Sequence, residues 1–270
     1  MDRRFDASGR RMSAPSASSP KSRVSAESGG TESKVAAFFD MDKTLISENS
    51  GSVYMKSRYR EGKIGAVQLA RGAYAYLRYK LGRLDLLEST RGLMVPLAGR
   101  EVMEVWAEGQ SLCEESIFSL VYPGALERVR HHQARGDLVC IVSGSMGFIV
   151  DHVAAHLDID HAIYTRVEER AGRLTGEVVE PLCFERGKLH WLREFIQEHE
   201  IDLARSWFYS DSITDLPLLE EVGHPIAVNP DPRLARLARR RGWPIRLFDL
   251  NDSPTGPSGE EAPPAPSVRS

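Results

Sequence analysis

The chain has 270 residues, a formal net charge of -3, a hydrophobic fraction of 41% and a charged fraction of 27%. This is the composition of an ordinary globular protein, long enough for one large domain or a core with a smaller insertion. The near-neutral balance excludes a chain built around nucleic-acid binding, and no apolar run approaches the roughly 20 residues that cross a bilayer.

Residues 1–33 are rich in Ser, Gly and Arg and lack the apolar core of a secretory signal. They read as a disordered leader. A transit peptide has similar composition, but plain disorder is its commoner cause. Residues 35–40, Val-Ala-Ala-Phe-Phe-Asp, form a short apolar run ending in an acid, the pattern of a buried strand. From about 53 to 120 the pattern is helical, with Leu69, Ala73, Tyr76, Leu77, Leu84 and Leu87 at helix-like spacing. Tyr122-Pro123-Gly124 interrupts it, and a helix follows over about 125–135. A second buried strand covers 138–142 and ends at Ser143-Gly144-Ser145, before a helix over about 147–157.

Segments 163–167 and 174–178 flank Ala171-Gly172-Arg173 and predict a strand pair around a turn. A helix over about 188–199 and a strand over 207–210 come next, ending at Asp211. Strands at 225–228 and 245–248 enclose a helix over about 233–241. The Pro, Ser and Gly cluster of 251–270 reads as a second tail. Cys113, Cys140 and Cys183 show neither metal-ligand nor disulfide-framework spacing. Cys140 reads as a core residue, and a reducing cytoplasm is the simplest setting.

Strands alternating with helices predict an α/β fold with a doubly wound, mostly parallel, Rossmann-like sheet. Sites in such sheets lie beyond the carboxyl ends of the strands. Three predicted strand ends carry polar groups there: Asp40, Ser143 and Asp211. Asp40-Met-Asp42 places two carboxylates near one strand end, where one suits a nucleophile toward phosphorus and the other a general acid and base. An isolated Asp-x-Asp more often caps backbone amides. Following a buried strand and preceding Lys43-Thr44-Leu45, it favours catalysis.

These segments resemble the signatures of the haloacid dehalogenase superfamily. Residues 38–45, Phe-Phe-Asp-Met-Asp-Lys-Thr-Leu, are similar to its first signature. Ile141-Val-Ser-Gly-Ser145 resembles the second, Lys188 at a helix start the third, and Tyr209-Ser-Asp-Ser-Ile-Thr-Asp215 the fourth, with Ser210 and Ser212 in place of its usual glycines. The resemblance spans about 35–248. It implies Asp40 as nucleophile and metal ligand, and Asp42 as general acid and base with its carbonyl on the metal. Asp211 becomes the second carboxylate ligand, and Asp215 supports the metal shell or Lys188. Phosphate falls to Thr44, Ser143, Gly144 and Lys188, with Arg186 as the competitor of Lys188 and Thr44 placed to position either the phosphate or Asp40. Ser143 is also placed to cap the next helix. The implied cofactor is Mg²⁺, which takes oxygen ligands and offsets the repulsion between Asp40 and an anionic phosphate.

The resemblance also implies a helical cap over 47–120, inserted after the first strand of a core formed by 34–46 and 121–250. This cap type occurs in phosphoserine phosphatases and their relatives, and Asn229-Pro-Asp-Pro-Arg233 is similar to that branch. Those enzymes carry a Glu that meets the substrate amine, whereas Asn49 stands at that position here and Glu48 beside it. Glu48, Asn49 and Asn229 are therefore the substrate candidates. Basic and Tyr residues of the insertion, among them Lys56, Arg58, Tyr59, Arg60, Arg71, Tyr74, Arg78, Tyr79, Lys80 and Arg83, suit an anionic substrate or a membrane-borne lipid phosphate. The commoner arrangement is an amphipathic helix pair with a solvated basic face. The expected activity is a phosphatase for a small phosphomonoester. Phosphoserine phosphatase proper, a phosphoryl transferase and a silent phosphate-binding module are the alternatives, and the oligomeric state stays open.

Overall fold

The computed structural model of the protein describes residues 33–67, 70, 74 and 86–252. The expectations for 1–32 and 253–270 lie outside the described residues, as do Leu69, Arg71, Ala73, Tyr76, Leu77, Arg78, Tyr79, Lys80, Arg83 and Leu84.

Six parallel strands form one sheet in the order β3-β2-β1-β6-β7-β8. They are β1 (Ala36–Phe39), β2 (Leu138–Met146), β3 (His161–Thr165), β6 (Trp207–Ser210), β7 (His224–Val228) and β8 (Ile245–Arg246). All four residues of β1 are buried, because helices cover both faces of the sheet. Side chains alternate between these faces. Ala37 and Phe39 join one core cluster with Ile141, Val150 and Tyr209, and Ala36 and Phe38 join another with Cys140, Phe195 and Phe208. Each buried Phe contributes about 1.5–3 kcal/mol, so replacing Phe38 by a polar residue would cost at least that much stability. All three cysteines are free and buried.

The anticipated strand pair around Gly172 is present, but its first strand is corrected. His161–Thr165 is instead the edge of the main sheet, pairing in parallel with β2. The hairpin consists of β4 (Val167–Arg170) and β5 (Arg173–Val178), a separate antiparallel pair. Ala171 and Gly172 turn it with φ of 52° and 75°, the double positive φ of a type I′ hairpin turn. Ala162 and Ile163 are buried in the core, whereas Glu169 and Arg170 are exposed, so the two halves of the segment follow different partners. The last strand is also shorter than expected: Leu247 and Phe248 leave the sheet after Ile245–Arg246.

Several α-helices among the described residues accompany the strands. They are α1 (Ser50–Arg60), α2 (Leu86–Met94), α3 (Val102–Leu112), α4 (Pro123–Arg135), α5 (Gly147–His156), α6 (Arg186–His199), α7 (Leu216–Leu219) and α8 (Pro232–Arg241). Local chemistry sets several ends. Pro123 starts α4 and Gly136 (φ 79°) stops it, and Asp231 caps α8 by accepting from the amides of Arg233 and Leu234. None of the described helices is long and apolar enough to cross a membrane.

The inserted segment leaves and rejoins the sheet at one place. Ile46 bridges Val121, the Ser47 amide donates to Leu120 O at 2.9 Å, and the Tyr122 amide donates to Leu45 O at 2.9 Å. Its helix α3 then docks on α5. A Cβ at Gly109 would sit 1.9 Å from Phe148 O, so glycine permits this approach. Trp106 Nε1 donates to Asp151 Oδ2 at 2.9 Å across the same contact. Acids engage two of the basic residues of α1: Lys56 pairs with Glu48 at 2.8 Å and Arg58 with Glu108 at 3.1 Å. Arg60 and Tyr59 are exposed.

Candidate active site

Main-chain bonding sets the first catalytic loop. The Asp40 amide donates to Tyr209 O at 2.9 Å, continuing the ladder between β1 and β6 by one residue. Met41 O then accepts from the amides of Thr44, Leu45 and Ile46, closing a tight turn in which Lys43 takes φ 61°. This turn presents Asp40 and Asp42 at the carboxyl end of the central strand.

Asp40 is 7% exposed and its Oδ1 accepts from Lys188 Nζ at 2.7 Å. The same ammonium donates to Asp215 Oδ2 at 2.7 Å. Lys188 is brought there by the first turn of α6, and the preceding glycine is obligatory: a Cβ at Gly187 would lie 1.8 Å from Leu182 O. Burial alone disfavours a charged Lys188, but the two carboxylates outweigh it and raise its pKa. Arg186 is exposed while Lys188 is buried, so the buried charge is the lysine's.

Asp211 sits at the end of β6. Desolvation raises its pKa to about 8, with repulsion from Asp40 and Asp215 adding to the effect. Asp40 is pushed up to about 7, by desolvation first and by Asp215 and Asp42 after it, against the pull of Lys188. Lys188 and Lys43 therefore leave an excess of negative charge at this strand end, the condition that a divalent cation relieves. The donor set is all oxygen. Among the described residues no three His, Cys, Asp or Glu side chains form a cage for a metal. Mg²⁺ needs none, since it takes one or two carboxylates and fills its octahedron with water and substrate phosphate. The residues present fit that ion.

Asp42 is held differently from Asp40. Its Oδ1 accepts from the Ser50 amide at 2.9 Å, and its Oδ2 accepts from Asn49 Nδ2 at 2.9 Å and from Ser145 Oγ at 3.0 Å. Desolvation raises its pKa, and the bonds from Ser50 and Ser145 pull it back. Ser143 is buried, and its Oγ accepts from the Ser145 amide at 3.1 Å. It does not cap α5: Met146 occupies that position and no side chain bonds there. Gly144 is exposed beside it. Thr44 is buried, and its Oγ1 bonds none of the described residues, so it does not hold Asp40 directly.

The three substrate candidates sit apart from one another in role. Glu48 is paired with Lys56. Asn49 has one end of its amide on Asp42 and the other on Ser52, where it caps α1. Asn229 clamps the chain after β8: its Nδ2 donates to Phe248 O at 3.1 Å and its Oδ1 accepts from the Phe248 amide at 2.9 Å.

Two supporting residues escaped the sequence reading. Ser210 Oγ donates to Asp215 Oδ2 at 2.7 Å and accepts from the Ser212 amide at 3.2 Å, so a serine at the usual glycine position steadies the loop. Asp231 accepts from the Ile213 amide at 2.8 Å through Oδ2 while capping α8 through Oδ1, and its own amide donates to Asp211 O at 2.8 Å. Its sequence signal was a helix-capping Asp before Pro, which marks the helix end but not the second bond.

Comparison with known proteins agrees with this geometry. Residues 37–220 match the model of the haloacid dehalogenase-like hydrolase family. A probable phosphatase of Mycobacterium tuberculosis is 35% identical over 225 residues, covering 82% of this chain and 78% of the relative. A histidinol-phosphatase of Neisseria meningitidis is 31% identical over 220 residues, covering 80% of this chain and 99% of the relative. The crystal structure of a Bordetella pertussis protein of unknown function is similar at a TM-score of 0.74 and 31% identity, over 81% of this chain and all of that one. A family match over more than half of the chain, joined to relatives named as phosphatases, makes this chain a phosphatase of the haloacid dehalogenase-like hydrolase family.

Proposed function

We propose that the protein is a Mg²⁺-dependent phosphomonoesterase that passes the phosphoryl group through Asp40 to water. The observation that carries this reading is the Lys188 ammonium bridging Asp40 and Asp215 at 2.7 Å each, with Asp42 held nearby on separate donors. On this reading Asp40, held by the lysine, is the nucleophile, and Asp42, which makes no hydrogen bond to Lys188, exchanges the proton.

Asp40 attacks phosphorus while the ester P–O bond breaks, and Asp42 gives its proton to the departing alkoxide oxygen. In the second step Asp42, now a carboxylate, takes a proton from water as that water attacks phosphorus. The bond to Asp40 breaks, and inorganic phosphate and a free Asp40 carboxylate result. Mg²⁺ would be held by Asp40, Asp211 and the Asp42 carbonyl, where it supplies positive charge against the phosphate. Ser143 and the Gly144 amide face the phosphate from β2, and Lys188 balances the charge that remains on Asp40 and Asp215.

The insertion over 47–120 acts as the cap of the site, since both of its ends join the core beside Asp42. Excluding bulk water at a strand end is the physical need it meets. The substrate is a small phosphomonoester. The Neisseria relative is a histidinol-phosphatase, and an amine-bearing phosphate of that kind belongs in any substrate panel. Phosphoserine is expected to be poor: Asn49 carries no charge for an amine and its amide is engaged at both ends, while Glu48 is spent on Lys56. Three buried free thiols suit the reducing cytoplasm.

The test is hydrolysis of a chromogenic aryl phosphate by the purified protein, with Mg²⁺ and with excess chelator, followed by a panel of phosphoserine, histidinol phosphate, sugar phosphates and lysophospholipid phosphates. Equal turnover in chelator would refute the metal site. A clear preference for phosphoserine would overturn the reading of Glu48 and Asn49.

A further inference from the structure

The first helix of the insertion carries no acidic residue in its first turn, although exposed amides at a helix N-terminus attract negative charge. The anion is supplied from outside the helix. Asp42, eight residues earlier, accepts from the Ser50 amide at 2.9 Å, so the carboxylate caps α1 across the loop. Asn49 completes the joint from the other side. Its Oδ1 accepts from the Ser52 amide at 3.0 Å and from Ser52 Oγ at 3.2 Å, and its Nδ2 reaches back to Asp42 Oδ2 at 2.9 Å. Ser145, near the carboxyl end of β2, donates to the same oxygen at 3.0 Å. Ser50 Oγ lies 2.7 Å from Ser145 Oγ and is fully buried. Ser145 has one hydroxyl proton and spends it on Asp42, so the donation runs from Ser50 to Ser145 to Asp42. Two side-chain donors fix one carboxylate oxygen and a backbone amide fixes the other, so the carboxylate cannot rotate without breaking a bond to α1.

We infer that Asn49 is a positioning residue for proton transfer by Asp42: it ties the carboxylate to the first turn of α1, so that the insertion and the general acid/base move as one unit. This rests on the proposed phosphatase mechanism and deepens it. Asn49 thereby acts on the rate of proton delivery, and the position that would carry a substrate-binding acid in a phosphoserine enzyme is turned inward to the catalytic carboxylate. A leaving alkoxide of high basicity needs the proton as its bond breaks, while a good aryl leaving group departs without it. Hydrolysis of the phosphorylated Asp40 needs Asp42 whatever the first substrate was.

The experiment uses Asn49→Ser in the full chain. Serine caps a helix about as well as asparagine, so α1 keeps its N-cap, but serine has no second arm for Asp42. The expected result is a native thermal midpoint and a fall of about tenfold or more in kcat/KM for an alkyl phosphate. For an aryl phosphate with a good leaving group, kcat/KM stays within about twofold, while kcat falls and phosphorylated protein builds up in acid-quenched samples. Asn49→Gln, which keeps the amide on a longer arm, recovers part of the alkyl phosphate rate. Equal losses for both esters, or no loss for the alkyl ester, would overturn the role of Asn49. Asp42→Asn is run alongside. If it shows the leaving-group dependence and Asn49→Ser does not, only the inference fails. If Asp42→Asn itself shows none in a protein that is active as wild type, the mechanism beneath it fails as well.

Discussion

Replacing Lys188 by Met removes the one ammonium that two buried carboxylates share. The side chains of Lys188, Asp40 and Asp215 are 3%, 10% and 3% exposed, and both bonds measure 2.7 Å. Met fills nearly the same volume, so the loss is electrostatic. Removing one partner of a buried ionic group costs about 3–5 kcal/mol because the other charge is left uncompensated. The pH dependence gives the sign. Asp40 already has a folded pKa of about 7 against 3.8 for the free side chain, and without the lysine it rises further. Between those values the folded state holds more protons than the unfolded state, so stability falls as pH rises through the window. The Lys188→Met protein is therefore expected to lose about 3–5 kcal/mol near pH 8 and clearly less near pH 5, where protonation removes the uncompensated charge. Urea unfolding followed by tryptophan fluorescence at both pH values measures this. Arg186→Met, at an exposed position two residues earlier, is the control and is expected within about 0.5 kcal/mol of wild type. A Lys188→Met loss below about 1 kcal/mol, or one independent of pH, would refute the charge balance drawn for the site.

Further perturbations test other parts of the account. His132 is buried between Asp137 Oδ2 at 2.8 Å and Tyr209 Oη at 2.9 Å, and burial depresses its pKa from 6.5 to about 4 despite the neighbouring carboxylate. The unfolded state binds the extra proton between those values, so this group costs the protein about 3 kcal/mol of stability as pH falls from 6.5 to 4, and His132→Phe should flatten that part of the stability curve. Gly187→Ala places a Cβ 1.8 Å from Leu182 O, so the start of α6 must shift; thermal melting is expected to show a loss of about 1–3 kcal/mol and assays a lowered rate, and a native melting curve would contradict the close packing. Activity is expected to require Mg²⁺ and to be inhibited by Ca²⁺, whose longer bonds and larger ligand number would let it take both oxygens of Asp40, and a titration of one ion against the other reads this directly.

The strands that position the site were legible because each is a short apolar run ending in a polar residue. Ala36–Phe39 and Trp207–Ser210 owe this to burial on both faces of a parallel sheet. Asp40, Asp42 and Asp211 were legible at predicted strand ends, whereas Asp215 and Lys188 were marked by resemblance to the family's signatures. The edge strand and the hairpin after it were not separated, because Ile163 to Val167 reads as one β-rich run while its two halves pair with different elements. Local sequence carries no sign of that choice. The same holds for Asn49, whose capping role is local but whose second bond joins it to a loop turned back by Met41. Ser210 read as a departure from a glycine pattern, and only its contact with Asp215, made possible by the loop closing on itself, gives the hydroxyl a purpose.

The most direct test of the mechanism is to find the phosphoryl group on Asp40. Protein mixed with excess aryl phosphate and Mg²⁺, quenched in acid within milliseconds and digested, is predicted to yield a phosphorylated peptide bearing Asp40. Asp42→Asn should raise its yield, since the second step loses its base, and Asp40→Asn should abolish both the label and turnover by several orders of magnitude. An active enzyme with no label in wild type or Asp42→Asn, or an Asp40→Asn protein that keeps more than about one-tenth of wild-type turnover, would contradict the assignment of Asp40 as nucleophile.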